Sequence, residues 1–213
     1  MSKNIKIIYA FLLSSILIAL PILFFILGDL PHRTILKNII SIITIISFFI
    51  LFSQFFLSKI NTSINEFSNF AKVVKFHKFI GYIVLPVLMI HPILIVVPRF
   101  FEVGVDPFES FIKMITTIDT LGVLLGIIAW ILMLSLGITS MFRNKLNISY
   151  KSWKNFHGIL SLTFIIIASW HAINMGRHMS LPMSILIVLL VLITIISVLK
   201  VYLLKNEKGA SNA

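Results

Sequence analysis

Residues 77–91, HKFIGYIVLPVLMIH, form an apolar run with a histidine at each end, and residues 157–171, HGILSLTFIIIASWH, repeat the arrangement. In an α-helix this separation is just under ~4 turns, so both histidines of a run project from nearly the same side. They lie ~21 Å apart along the axis, near the two faces of a ~30 Å hydrocarbon slab. Imidazole is costly at such depth and marks a proton path, a bound ion or a cofactor. Two helices carrying the same pair at the same spacing point to two cofactors stacked across a membrane.

Composition agrees with a membrane setting. Of 213 residues, 59% are hydrophobic and 12% charged, and the mean hydropathy is +1.07. These values exclude an ordinary soluble domain. Continuous rather than alternating apolar runs disfavour a β-barrel. The expected fold is all-α, a single six-helix bundle over residues 1–213. Its spans are expected near Ile5–Leu27, Ile35–Leu57, Phe76–Val97, Leu121–Phe142, Trp153–Ile173 and Leu181–Leu204. The first run is too long for the apolar core of a cleavable signal peptide.

The net charge of +11 is a matter of topology rather than of nucleic acid. Thirteen of the 18 basic residues, among them Lys72, Lys78, Arg143, Lys145, Lys151 and Lys154, fall in the termini and even-numbered loops. The positive-inside rule then puts both termini of a multi-pass cell-membrane protein in the cytoplasm. His77 and His157 belong to the inner leaflet, His91 and His171 to the outer. Outside the spans, Asn61–Lys75 reads as an amphipathic helix along the inner interface. The acidic stretch Arg99–Asp119 reads as a solvated connection, with a docking surface as the alternative.

Cysteine is absent, which excludes thiolate ligation of iron–sulfur clusters and covalent haem attachment. Paired imidazoles at matched depth suit b-type haem, with His77 and His157 as axial ligands of an inner iron and His91 and His171 of an outer one. Phe164, seven residues from each histidine of its run, falls on the ligand face between the two levels; a plain core role is the alternative. Arg99 and Arg177 outside, and Lys78, Lys154 and Arg143 inside, are candidate partners for haem propionates. Gly81, Gly122, Gly126 and Gly158 allow close approach near the ligands. His32 and His178 are assigned to outer loops without a ligand role, His178 being placed to face an acceptor. A metal or proton transporter is the rival reading, but histidines ~21 Å apart cannot share an ion, and intramembrane carboxylates are lacking.

The paired histidines on the third and fifth spans, His91-Pro92, and Tyr150-Lys-Ser-Trp-Lys-Asn-Phe-His157 resemble the ferric reductase-like transmembrane domain family, which includes the membrane part of NADPH oxidases. The resemblance covers roughly Ile35 to Leu204. It implies two stacked b haems passing electrons outward from a cytoplasmic donor, a flavoprotein carrying FMN or FAD or else quinol, to an extracytoplasmic acceptor. Thr120-Leu-Gly, Ala129-Trp-Ile-Leu, Thr139-Ser and Trp153-Lys-Asn-Phe-His157 are also similar to the membrane haem subunit (MsrQ) of a periplasmic methionine sulfoxide reductase system. That branch tends to carry a basic residue where this chain has His77, so the pattern here is the di-haem one. No G-x-G-x-x-G or flavin module is present, so nicotinamide oxidation is expected to lie on a separate protein. The chain is read as the membrane subunit of a larger oxidoreductase.

Overall fold

A computed structural model describes residues 12–28, 34–57 and 70–210, with backbone alone for residues 70 and 201–210. Every regular element among them is helical. In chain order these are α1 (Leu12–Leu27, π-helical at Ser15–Ala19), α2 (Ile35–Phe56), α3 (Phe70–Met89), α4 (His91–Val96), α5 (Pro107–Thr116), α6 (Leu121–Met141), α7 (Tyr150–Met175) and α8 (Leu181–Ala210). Short 3-10 turns follow α4 at Val97–Phe101 and α6 at Arg143–Lys145.

The helix starts are legible in the chain. Thr34, Asp106, Thr120 and Ser149 each sit just before a helix, and each side chain accepts a backbone N–H of the first turn. Those amides have no intrahelical acceptor, which is why Ser, Thr and Asp recur at this position.

Helices α2, α6, α7 and the Leu181–Lys200 part of α8 are long and apolar enough to cross a bilayer, and α3 with the segment after it makes a fifth span if the bent pair is counted as one. Helix α1 is shorter over its described length. The chain is therefore a multi-pass helical membrane protein. The expected start of the first span, residues 61–69 of the expected interfacial helix Asn61–Lys75, His32 and Lys59 lie outside the described residues, and residues 70–75 are the first turns of α3.

Helix α6 runs back on α7 in the most extensive contact of the bundle, and α2 and α3 form a second pair. Between them lies a core of Phe48, Phe49 and Phe52 from α2, Met133 from α6, Phe164 and Ile165 from α7 and Met183 and Ile187 from α8. The three phenylalanines of α2 meet edge-on or tilted, with centroids 5.6–6.3 Å apart, the arrangement favoured by the ring quadrupole. Acyl chains are as apolar as Leu, so close van der Waals fit rather than water exclusion holds such a core together.

The third span departs from expectation. It is not one straight helix over Phe76–Val97: α3 stops at Met89, and the segment beginning at His91 leaves at 43°. Pro92 supplies no N–H to the carbonyl of Leu88, and its ring crowds the preceding turn, so the hydrogen-bond ladder breaks around Ile90, whose own N–H and carbonyl stay bonded to Pro86 and Leu94. The next carbonyl at the break, that of Met89, is satisfied from across the bundle, where Trp130 of α6 donates Nε1–H to it at 2.9 Å. Membrane helices tolerate proline where a neighbour can do this. Trp130→Phe keeps the ring and deletes the donor. It is expected to lower stability by about 1 kcal/mol, the usual scale of an interhelical hydrogen bond, read as an earlier unfolding midpoint in mixed micelles with helix content unchanged.

Candidate functional site

The four histidines are carried by two helical strands of the bundle that scarcely touch. Helix α3 leans on α2 and α7 leans on α6, with at most glancing backbone contact between α7 and either α3 or α4. Directly packed helices stand ~8–10 Å apart, so this pair is held wider. Across the gap His77 and His157 come within electrostatic reach of each other, as do His91 and His171. On α7 the two histidines share one uninterrupted helix, as expected. On the other side the bend at Ile90 lies between them, so the match in depth and direction at His91 depends on tertiary structure.

The imidazoles are oriented through Nδ1. His171 Nδ1 lies 2.8 Å from the Gly122 carbonyl; a carbonyl can only accept, so the proton is on Nδ1 and Nε2 carries the lone pair. His91 Nδ1 lies 3.4 Å from Thr44 Oγ1, whose own proton goes to the Ile40 carbonyl at 2.8 Å. Thr44 therefore accepts from His91, which fixes the same tautomer. His157 Nδ1 lies 3.3 Å from Ser140 Oγ, and its ring stacks on Trp153 with centroids 5.0 Å apart. Trp153 in turn donates Nε1–H to the Thr139 carbonyl at 3.3 Å. His77 is the exception: it lies against the Gln54 backbone, while its Nδ1 is buried with no partner, as is Gln54 Nε2.

Helix α6 makes the bed for His171. A Cβ on Gly126 would lie 2.6 Å from His171 Cε1 and 2.7 Å from Nδ1, and one on Gly122 would collide with Met175. The glycines thus admit the ring flat against the helix, within reach of a main-chain carbonyl. Gly81, one turn beyond His77, has open space where a Cβ would point.

The remaining predicted residues are distributed as follows. Phe164 is buried in the core at mid-height of α7. Lys78, Lys154 and Arg177 are exposed near the ends of the bundle. The Arg143 guanidinium sits 4.5 Å from the Tyr150 ring centroid and 5.1 Å from that of Trp153, so it caps the stack that leads to His157. His178 does not face outward to an acceptor: it is buried, its ring 4.5 Å from that of Phe25. Nor is Arg99–Asp119 only a solvated connection, since Pro107–Thr116 is helical. Sequence reasoning missed Thr44, Ser140, Gln54 and Trp130. The available signal was a polar side chain inside an apolar run, which marks a hydrogen bond to another helix.

Arg99 is engaged by Glu102 at 2.7 Å, and Lys37 of α2 reaches the other carboxylate oxygen at 2.5 Å. The hydrogen bond from Lys37, then that from Arg99, hold the Glu102 carboxyl below its ordinary pKa of 4.5. A depressed folded-state pKa contributes stability that is complete above the ordinary value and is lost as pH falls through the lowered one. The stability difference between wild type and Glu102→Gln is therefore expected to be flat through neutral and mildly acidic pH. Thermal melts should converge only once pH drops below the ordinary carboxylate range.

Among the described residues no three His, Asp or Glu side chains converge. What the bundle offers is two imidazoles within electrostatic reach of each other at each of two levels, with Nδ1 in contact with a hydroxyl or carbonyl in three of the four. This donor set does not suit an ion held by protein ligands alone, for which three or four are needed. It would suit a metal whose other ligands are supplied by a macrocycle, which the Nε2 atoms would hold while Nδ1 meets a hydroxyl or carbonyl. The unpartnered Nδ1 of His77 makes the His77 level the less completely supported of the two.

Fold and site together define a multi-pass membrane protein built around paired histidines. The profile of the ferric reductase like transmembrane component family matches residues 43–168, a stretch running from α2 through most of α7. The chain belongs to that family. It is also 37% identical, over 159 residues, to a protein of Archaeoglobus fulgidus described as uncharacterized, covering 75% of this chain and 86% of that one. No solved structure matches.

Proposed function

We propose that the chain is the di-haem membrane subunit of an electron-transfer system, with His77 and His157 holding one b haem and His91 and His171 the other. The observation that carries the reading is the tautomer at the His91/His171 level. Both rings are held through Nδ1–H, by Thr44 and Gly122, and this leaves Nε2 as the basic nitrogen on each. Family membership supports the electron-transfer class.

When bound, low-spin bis-histidine haem supplies one-electron redox chemistry with little change in ligation. The chain's own contributions are positional. The Nδ1 contacts hold the ring planes, the apolar core around Phe164 excludes water between the two levels, and the wide separation of α3 and α7 keeps room for a macrocycle. Phe164, between the levels, is the side chain best placed to fill the space between two rings. Lys78, Lys154 and Arg177 are the proposed cationic partners of the propionates; Arg99 is held by Glu102.

In this reading α1 completes six spans and both termini are cytoplasmic, as the basic even-numbered loops favour. The donor is a cytoplasmic flavoprotein or quinol at the His77/His157 end, and the acceptor lies beyond the His91/His171 end. The chain serves as the membrane part of an oxidoreductase. A methionine sulfoxide reductase is one acceptor to be tried beside ferric chelates.

Purified protein, expressed with ample porphyrin precursor, is expected to show a dithionite-reducible b-type spectrum and a pyridine haemochrome ratio of about two per chain. A folded, colourless preparation would sink the proposal. Proton or metal-ion flux through haem-free liposomes would replace it with a transporter.

A further inference from the structure

We propose that α5 is a membrane-surface helix, with Phe108, Ile112 and Ile115 seated among the acyl chains of the leaflet at the His91/His171 end and Glu109, Lys113 and Thr116 facing water. At 100° per residue the ten residues of α5 sort into three stripes. Pro107, Ser110, Phe111 and Met114 form the first, and they are the partly buried residues of the helix, turned to α4 and the 3-10 turn on which α5 rests. Phe108, Ile112 and Ile115 form the second, with 73%, 39% and 40% of their surface exposed. Glu109, Lys113 and Thr116 form the third, exposed and polar.

A helix with one face on protein, one apolar face uncovered and one polar face beside it has the pattern of an element lying in an interface. Its length, ~15 Å, is half the hydrocarbon thickness, so it can lie along the bilayer but cannot cross it. What covers the apolar stripe follows from its continuity. Helix α4, beneath it, is the second half of the bent span, and its Ile93 and Ile95 are exposed as lipid-facing residues are. Phe100, Phe101 and Val103 carry the same apolar surface from α4 around to α5. The occupant is therefore the lipid that already surrounds the span. Lys113 borders the stripe and can reach phosphate while its stem lies on the apolar side. The helix would thus act as an anchored strut against α4, the segment that carries His91. The inference needs a bilayer and does not depend on haem.

The test exploits the lack of cysteine. Single variants Phe108→Cys, Ile112→Cys, Glu109→Cys and Lys113→Cys of the full chain are labelled with an environment-sensitive fluorophore. Each is checked for monodisperse elution, then reconstituted in phosphatidylcholine vesicles. Blue-shifted emission quenched by nitroxide-bearing lipid at 108 and 112, with red-shifted emission quenched by iodide at 109 and 113, is the expected result; iodide is equilibrated across the vesicles by freeze–thaw. Uniform quenching by iodide would make the segment a solvated loop and overturn the inference. Shielding of 108 and 112 from both quenchers would put protein, such as a second copy of the chain, where lipid is proposed, and would overturn it equally.

Discussion

With two b haems held as proposed, His171→Ala is expected to lower the haem content of the purified protein from about two per chain to about one, because each haem would depend on a pair of imidazoles. The mutation removes Nε2 from the His91/His171 level and also breaks the bond to the Gly122 carbonyl. The other level, with His157 on Ser140 and Trp153, is untouched and should retain its absorbance. Imidazole added to the variant should restore part of the lost low-spin spectrum, since the truncated side chain leaves space of that shape beside Gly126. Two full haems in the variant, together with normal elution in detergent, would show that His171 is not a ligand. An equal loss at both levels would show that the sites are not independent.

The second large effect is expected from a single methyl group. In Gly126→Ala the new Cβ would overlap the His171 ring at Cε1 and Nδ1. The ring cannot slide aside without giving up its 2.8 Å bond to Gly122, so it must rotate or α7 must move from α6. Overpacking of this kind costs about 1–3 kcal/mol. Loss of an outer-shell contact to a ligating histidine weakens metal affinity by about 10–100-fold. Haem at this level should therefore be lost on dilution or competition with apo-myoglobin well before the haem at the His157 level. Alanine is the better helix former, so α6 itself should be no less stable. That separates a defect at the ring from a defect in the helix. Wild-type retention at both levels would mean that the ring adapts and that Gly126 is a passive packing position.

The contrast between these residues shows where a linear reading stops. Positions 77, 91, 157 and 171 could be singled out from the chain because imidazole in an apolar run is expensive and because the spacing recurs. The spans of α2, α6, α7 and α8 and the caps at Thr34, Thr120 and Ser149 are local properties, readable from apolar length and from side chains that bond their own backbone. Gly122 and Gly126 could be noted as small residues near the ligands. That one lends its carbonyl and the other its bareness to His171 is a contact between residues about 50 positions apart, which no periodicity encodes.

The third span illustrates the same boundary. Pro92 marks a break in the ladder, since a missing N–H is a covalent fact. Its depth within a span carries no angle, and Trp130, which bonds the Met89 carbonyl at the break, sits on a different helix. The stretch after it reads as a connection because four acidic residues, Gly104 and Pro107 interrupt its apolar residues. Only the placement of α5 against α4 separates its apolar stripe from its protein-facing one.

Composition and spacing alone thus determined a helical membrane chain with four imidazoles at two depths, because burying backbone in lipid allows few structures and buried imidazole must have a purpose. Tertiary structure decided which hydroxyl or carbonyl meets Nδ1 of His91, His157 and His171, because those partners come from helices that meet only after the chain has folded.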